Sequence, residues 1–79
     1  MFYENASYNM IMANVIENRI KDIRTDSGLN QSDFGKSINV SQDTVSLWEN
    51  GKSLPNTEFV ILICKKFGVS ADYVLGLTD

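Results

Sequence analysis

The side chains able to do chemistry form a short inventory. The chain of 79 residues has no His, one Cys, seven Lys plus Arg and ten Asp plus Glu, for a formal net charge of −3. Without His, and with Cys64 alone, the usual zinc ligand sets cannot be assembled and imidazole acid–base catalysis is excluded. No pair of carboxylates stands at a spacing that suits catalysis, and no glycine-rich loop is placed to cradle a phosphate. The residues therefore call for no metal, no cofactor and no enzyme. One kind of chemistry remains, recognition by hydrogen bonding and charge. Gln31, Gln42 and Asn50 carry amides that both donate and accept, and a glutamine amide fits the N6–N7 edge of adenine as a bidentate pair. Arg19, Lys21, Arg24, Lys36 and Lys52 are cations suited to phosphate. The net acidic balance stands against a nucleic-acid partner, so the placement of each charge has to decide.

Such side chains act only when rigid elements aim them. Hydrophobic residues make up 43% of the chain, too many for a disordered one. This length holds a single domain. The longest apolar run, Phe59 to Cys64, is far short of the ~20 residues that span a bilayer, so no membrane partner is expected. No basic residue precedes Arg19, which argues against a signal peptide. A small fold without disulfides suits a reducing compartment, and a cytoplasmic location is expected, nucleoid-associated if the partner is DNA. Gly28, Gly51, Gly68 and Gly76 each follow an apolar-periodic segment, where a helix wants a left-handed residue. Asn30, Ser41, Asn56 and Ser70 are N-cap types, each with an acid in the turn that follows. Strand alternation is absent. The pattern predicts an all-α fold of five short helices at about 15–27, 31–38, 42–50, 57–67 and 71–76. Residues 1–14 differ in kind. They hold Phe2, Tyr3, Tyr8, Met10 and Ile11 without a period or a basic residue, and read either as an upstream extension or as an arm that docks on its own domain or on a partner subunit. Residues 15–79 form the domain.

Residues 31–50 are the most specific feature. Gly35 lies inside a helix, where glycine costs roughly 1 kcal/mol, a cost that makes sense if a second helix crosses there. Asn39 stands at the turn, where a left-handed backbone is needed. Val45 and Trp48 share the inward face of the second helix, opposite Phe34 and Ile38. Two short helices packed steeply across a three-residue turn make a helix-turn-helix unit. From Ile16 to Leu77 the chain resembles the lambda-repressor-like, Cro-type (XRE) family of bacterial and phage DNA-binding domains. The residues that carry the resemblance are Arg19, Ile20, Ile23 and Arg24, then Gly28, Leu29, Asn30 and Gln31, then Val40, Ser41 and Gln42. Trp48 to Lys52, Pro55, Phe67 to Ser70, Asp72 and Tyr73 complete it, in order and at the family's spacing.

The resemblance implies a compact five-helix bundle that binds double-stranded DNA, usually as a homodimer on an imperfect palindrome. With Val45 and Trp48 inward, the second helix of the unit presents Gln42, Asp43, Ser46 and Leu47 to the major groove. Gln42 is the foremost base reader. Leu47 either packs on a thymine methyl or lies partly buried beside Trp48. Asp43 either accepts from cytosine N4 or serves the helix dipole. Gln31 resembles the glutamine that braces the reader and touches phosphate. Asn50, Lys52 and Ser53 follow the reading helix as phosphate contacts, with Arg19 and Arg24 on the first helix. Arg24 and Glu49 match a partly buried ion pair of the family. On the fourth helix, Thr57, Val60, Ile61, Cys64 and Phe67 are predicted to face the core with Ile63 at the edge. Phe59 and Leu62 are predicted to lie exposed, ready to hold a second subunit or the N-terminal arm. Tyr73, Leu75 and Leu77 fall in the family's usual dimer region. The ending resembles the point where many relatives continue into a second domain.

The expected function is thus a sequence-specific transcriptional regulator, a repressor by preference. The alternative is a protein-interaction or antitoxin-like module that keeps the fold with weak or no DNA binding. Most acids, among them Asp22, Asp26, Asp33, Glu58 and Asp72, fall away from the reading surface and only Asp43 faces the groove, which weakens the objection raised by the net charge.

Overall fold

The structure, a computed structural model, describes residues 15–78. The expected arm at 1–14 lies outside the described residues. Five helices and no strand are present among those described. They are α1 (residues 15–26), α2 (Gln31–Ser37), α3 (Gln42–Glu49), α4 (Thr57–Phe67) and α5 (Ala71–Val74). Each start from α2 onward is fixed by the side chain that the sequence places there. Asn30 accepts from the Asp33 N–H at 2.8 Å, and Ser41 from that of Thr44 at 3.1 Å. Asn56 accepts from the Phe59 N–H and Ser70 from that of Tyr73, both at 3.0 Å. Each such bond satisfies one orphan donor, and losing a cap of this kind costs about 1 kcal/mol. The ends of α1, α2, α3 and α5 fall slightly earlier than predicted, with α5 stopping at Val74, while α4 spans its predicted range.

The turn between α2 and α3 sets how these two helices meet. Asn39 takes the left-handed conformation, with φ of 64°. The Val40 N–H then folds back to donate to the Gly35 carbonyl at 2.9 Å. This brings the Val40 oxygen so close that a Cβ on residue 35 would lie 2.5 Å from it. Gly35 is therefore required, and its close neighbour is the backbone at the end of the turn and the start of α3.

Around this unit a single core forms from Ile16, Ile20 and Ile23 of α1, Phe34 and Ile38, Val45 and Trp48 of α3, Val60 and Ile63 of α4, and Val74 of α5. Phe34 stacks on Phe67 with centroids 5.0 Å apart, which joins α2 to α4. The buried face of α4 departs from the prediction. Ile63 is fully buried, Phe59 packs against the core, and Ile61 is 48% exposed. The reason is Trp48, whose ring meets the Phe59 ring at 5.6 Å. An aromatic pair of this kind adds about 0.5–1.5 kcal/mol beyond area burial. It turns the inward arc of α4 toward Phe59 and Ile63 and leaves Ile61 outside.

Gly→Ala in a helix interior ordinarily gains up to about 1 kcal/mol. Gly35→Ala should reverse that sign and cost about 1–3 kcal/mol, because the added methyl overpacks a backbone oxygen. Urea unfolding followed by Trp48 fluorescence measures the change, and an unchanged or raised midpoint would contradict the tight crossing.

Candidate nucleic-acid interface

The eight residues of α3 divide cleanly. Val45, Trp48 and Glu49 are buried, while Gln42, Asp43 and Leu47 are exposed and Thr44 and Ser46 are half-buried. Among the described residues, no side-chain hydrogen bond engages the Gln42 amide, so it is free to pair. Leu47 is 43% exposed, which places it outward and not in the core beside Trp48. Asp43 stands in the first turn, where the helix dipole favours an acid. The Asn50 amide donates to the Ser46 hydroxyl at 3.2 Å, so these two candidates form one local unit. Lys52 and Ser53 lie exposed just past the helix, and their backbone N–H groups both donate to the Leu47 carbonyl, at 2.9 and 3.3 Å. Thr44 was not singled out by the sequence pattern. Its hydroxyl lies 3.0 Å from that of Ser41, and it borders the same first turn as Gln42. No spacing signal distinguished it from an ordinary capping-turn residue.

Behind this surface sits a polar network centred on the Glu49 carboxylate. Arg24 donates through Nε to Oε2 at 2.7 Å and through Nη2 to Oε1 at 3.0 Å. Its Nη1 donates to the Leu29 carbonyl at 3.0 Å, and Gln31 donates through Nε2 to Glu49 Oε1 at 3.1 Å. The Arg24 and Glu49 side chains are only 14% and 3% exposed. The hydrogen bond to Glu49 raises the Arg24 pKa further above its ordinary value, against the opposing effect of burial. The expected Arg24–Glu49 pair is present. Three of the five guanidinium N–H donors of Arg24 are spent inside the protein, so this residue ties α1 to the end of α3. Gln31 donates to Glu49, and among the described residues no hydrogen bond joins it to Gln42.

Arg19 is also engaged within the protein. Its Nε donates to the Tyr73 carbonyl and its Nη2 to the Thr78 carbonyl, both at 3.1 Å, and the guanidinium carbon lies 4.5 Å from the centre of the Tyr73 ring. This is a clamp on α5, with a cation–π contact added to two hydrogen bonds. Of the expected contact residues on α4 and α5, Phe59, Tyr73 and Leu75 are half-buried and packed on the core. Leu62 and Leu77 are exposed. Phe59 is therefore not an open surface position, since Trp48 covers its ring. Burial pushes the Cys64 thiol up, which disfavours the thiolate. No helix among the described residues is long and apolar enough to cross a membrane.

Two short helices crossing at a glycine-tight turn, the second with an exposed polar first turn, define a helix-turn-helix domain. The sequence matches the Helix-turn-helix family model (HTH_3) over residues 20–74, and the chain belongs to this family, with a lambda-repressor-like, Cro-type fold. It is 36% identical over 62 residues to Antitoxin PezA of Streptococcus pneumoniae, an overlap of 78% of this chain and 39% of that protein. It is 35% identical over 58 residues to the HTH-type transcriptional activator BcrR of Enterococcus faecalis, covering 73% of this chain and 28% of the relative. The chain thus spans well under half the length of both. Its structure is similar to that of the P22 c2 repressor protein in complex with a synthetic operator, with a TM-score of 0.72 and 31% identity over 77% of this chain and 92% of that one.

Breaking the buried pair should be costly. Arg24→Ala leaves the Glu49 carboxylate short of its main partner, and an expected loss of about 3–5 kcal/mol follows. Arg24→Lys should recover only part of it, because an ammonium cannot form the two-toothed contact and still reach Leu29. Chemical denaturation of the two variants checks both values, and equal stability to the parent in Arg24→Ala would overturn the bridging role.

Proposed function

We propose that this domain binds double-stranded DNA sequence-specifically and regulates transcription as a repressor, by occluding a promoter and not by catalysis. The observation that supports this reading best is the division of α3. Its inward residues are locked by core and ion pair, and its outward first turn offers Gln42 and Asp43 with Leu47 one turn further on. Likeness to a repressor structure that holds an operator supports the same reading. In this docking α3 enters the major groove with its N-terminal residues at the base edges. Gln42 pairs with adenine N6 and N7, and Leu47 packs on a thymine methyl. Ser46 lies within reach of either strand. Asp43 serves the helix dipole first and accepts from a cytosine amino group second.

Lys52, Ser53 and Asn50 contact phosphate beyond the end of α3. Arg24, through Glu49, and Arg19, through Tyr73, position the elements that carry these contacts. Two copies meet successive major-groove faces about 34 Å apart on an inverted repeat. No cofactor or metal enters this scheme, and the site of action is the nucleoid in the cytoplasm. With two arginines committed internally, few cations face the DNA, so affinity falls gently as salt rises, at about 0.9 log per phosphate neutralised. A second reading is favoured by the similarity to Antitoxin PezA. In it the domain is one part of an antitoxin-like protein whose principal contact is another protein.

Selection of bound duplexes from a random pool tests the first reading and should return a short inverted repeat. On the selected site Gln42→Ala should cost about 1–3 kcal/mol and relax a single base position. Lys52→Ala should weaken all sequences alike and lower the salt slope by about 1. Fluorescence anisotropy across a salt series measures both. Unchanged binding in both variants would remove α3 from the interface and favour the second reading.

A further inference from the structure

The outward side of α4 carries a pattern that neither the core nor the reading surface uses. Glu58, Ile61, Leu62 and Lys65 are all exposed. Their spacing is i, i+3, i+4 and i+7, which puts them in one stripe along the helix. Ile61 is 48% and Leu62 37% exposed, so two large apolar side chains stand at the centre of that stripe. A carboxylate stands at one end and an ammonium at the other. Glu58 and Lys65 lie about 10 Å apart along the axis, too far for a close ion pair with each other. The salt bridge found among the described residues is that of Arg24 and Glu49.

The stripe is symmetric about its own middle. The midpoint between Ile61 and Leu62 is also the midpoint between Glu58 and Lys65. A two-fold axis through that point lays a second α4 antiparallel on the first. It sets Ile61 of each copy against Leu62 of the other, and Glu58 of each against Lys65 of the other. An isologous contact needs this kind of self-complementarity, in which residue i meets j and j meets i. A parallel or displaced pairing would bring like charges together or leave the apolar pair uncovered.

We propose that the outward stripe of α4 is an interface between two copies of this chain, packed antiparallel about Ile61 and Leu62 with Glu58–Lys65 pairs at its ends. The inference deepens the paired-copy part of the reading above, but its test uses no DNA and so fails or succeeds independently of operator recognition. Four side chains on an 11-residue helix bury less than the roughly 800 Å² per partner of a standard stable interface. The association is therefore weak and reversible, and is strengthened when both copies are held on one ligand.

Sedimentation equilibrium of the whole chain from about 10 µM to about 1 mM, a range chosen to bracket a weak dimer, reads the association directly. The parent should show a monomer–dimer equilibrium that weakens with added salt. Glu58→Lys and Lys65→Glu should each lower the association at least tenfold, because each sets like charges face to face. The doubly exchanged variant, with Glu58→Lys and Lys65→Glu together, should restore it, since the symmetry is kept with the signs reversed. These sites are exposed on both counts, so circular dichroism should find all three variants folded. A parent that stays monomeric, single variants that associate like the parent, or a double variant no better than the singles would each overturn the proposal.

Discussion

A buried carboxylate must find a cation and hydrogen-bond donors, and in this domain that requirement organises everything near the reading surface. Glu49 sits at the last turn of α3, and its partners come from α1 through Arg24 and from α2 through Gln31. Leaving such a charge unpaired would cost several kcal/mol. Only arrangements that bring all three helices to the same point are therefore low in free energy. The bridge holds the C-terminal end of α3, while the turn at Asn39 and Gly35 holds its N-terminal end. With both ends fixed and Val45 and Trp48 buried between them, rotation of α3 about its own axis is removed. The outward direction of Gln42, Asp43 and Leu47 is a consequence of constraints that none of those three residues takes part in.

The same economy governs charge. The chain carries seven basic residues, and Arg19 and Arg24 are turned to internal carbonyls and a carboxylate. An arginine fork suits this structural use because its planar donors meet fixed acceptors in several directions at once. What remains for a polyanion is lysine on flexible stems, with hydrogen-bonding amides and hydroxyls. A surface of that kind discriminates by fit more than it attracts by charge, which reconciles an acidic chain with a nucleic-acid partner.

Much of this was legible in the chain itself, and the parts that were not share a cause. The N-caps at Asn30, Ser41, Asn56 and Ser70 could be read because each acts on a backbone N–H three residues away. Asn39 and Gly35 were legible for the same reason, as local backbone requirements. On α4, Val60, Cys64 and Phe67 face inward as read, but the arc extends to Phe59 and Ile63 and not to Thr57 and Ile61. Helical periodicity gives the width of an apolar arc, but where the arc points depends on which neighbour meets it, here Trp48. The Arg19 clamp was not foreseen because its partners are main-chain carbonyls, which any residue could supply and no side-chain pattern marks. The bond from Gln31 to the Glu49 carboxylate behind the reading helix was not foreseen, since no spacing rule links residues 18 positions apart.

The Arg19 clamp has a topological consequence. It joins residues 54 positions apart, whereas the Arg24–Glu49 bridge joins residues 25 apart. Loop-closure entropy grows only with the logarithm of length, so the longer closure costs about 0.6 kcal/mol more than the shorter one. Two hydrogen bonds and a cation stacked on a ring readily exceed that difference. The four-residue α5 is too short to persist as an isolated helix, yet it is held against α1 at almost no added entropic cost. The Arg19 side chain thus closes the circuit from first helix to last, and α1 and the segment from Tyr73 to Thr78 are held together on the same side of the molecule as a result.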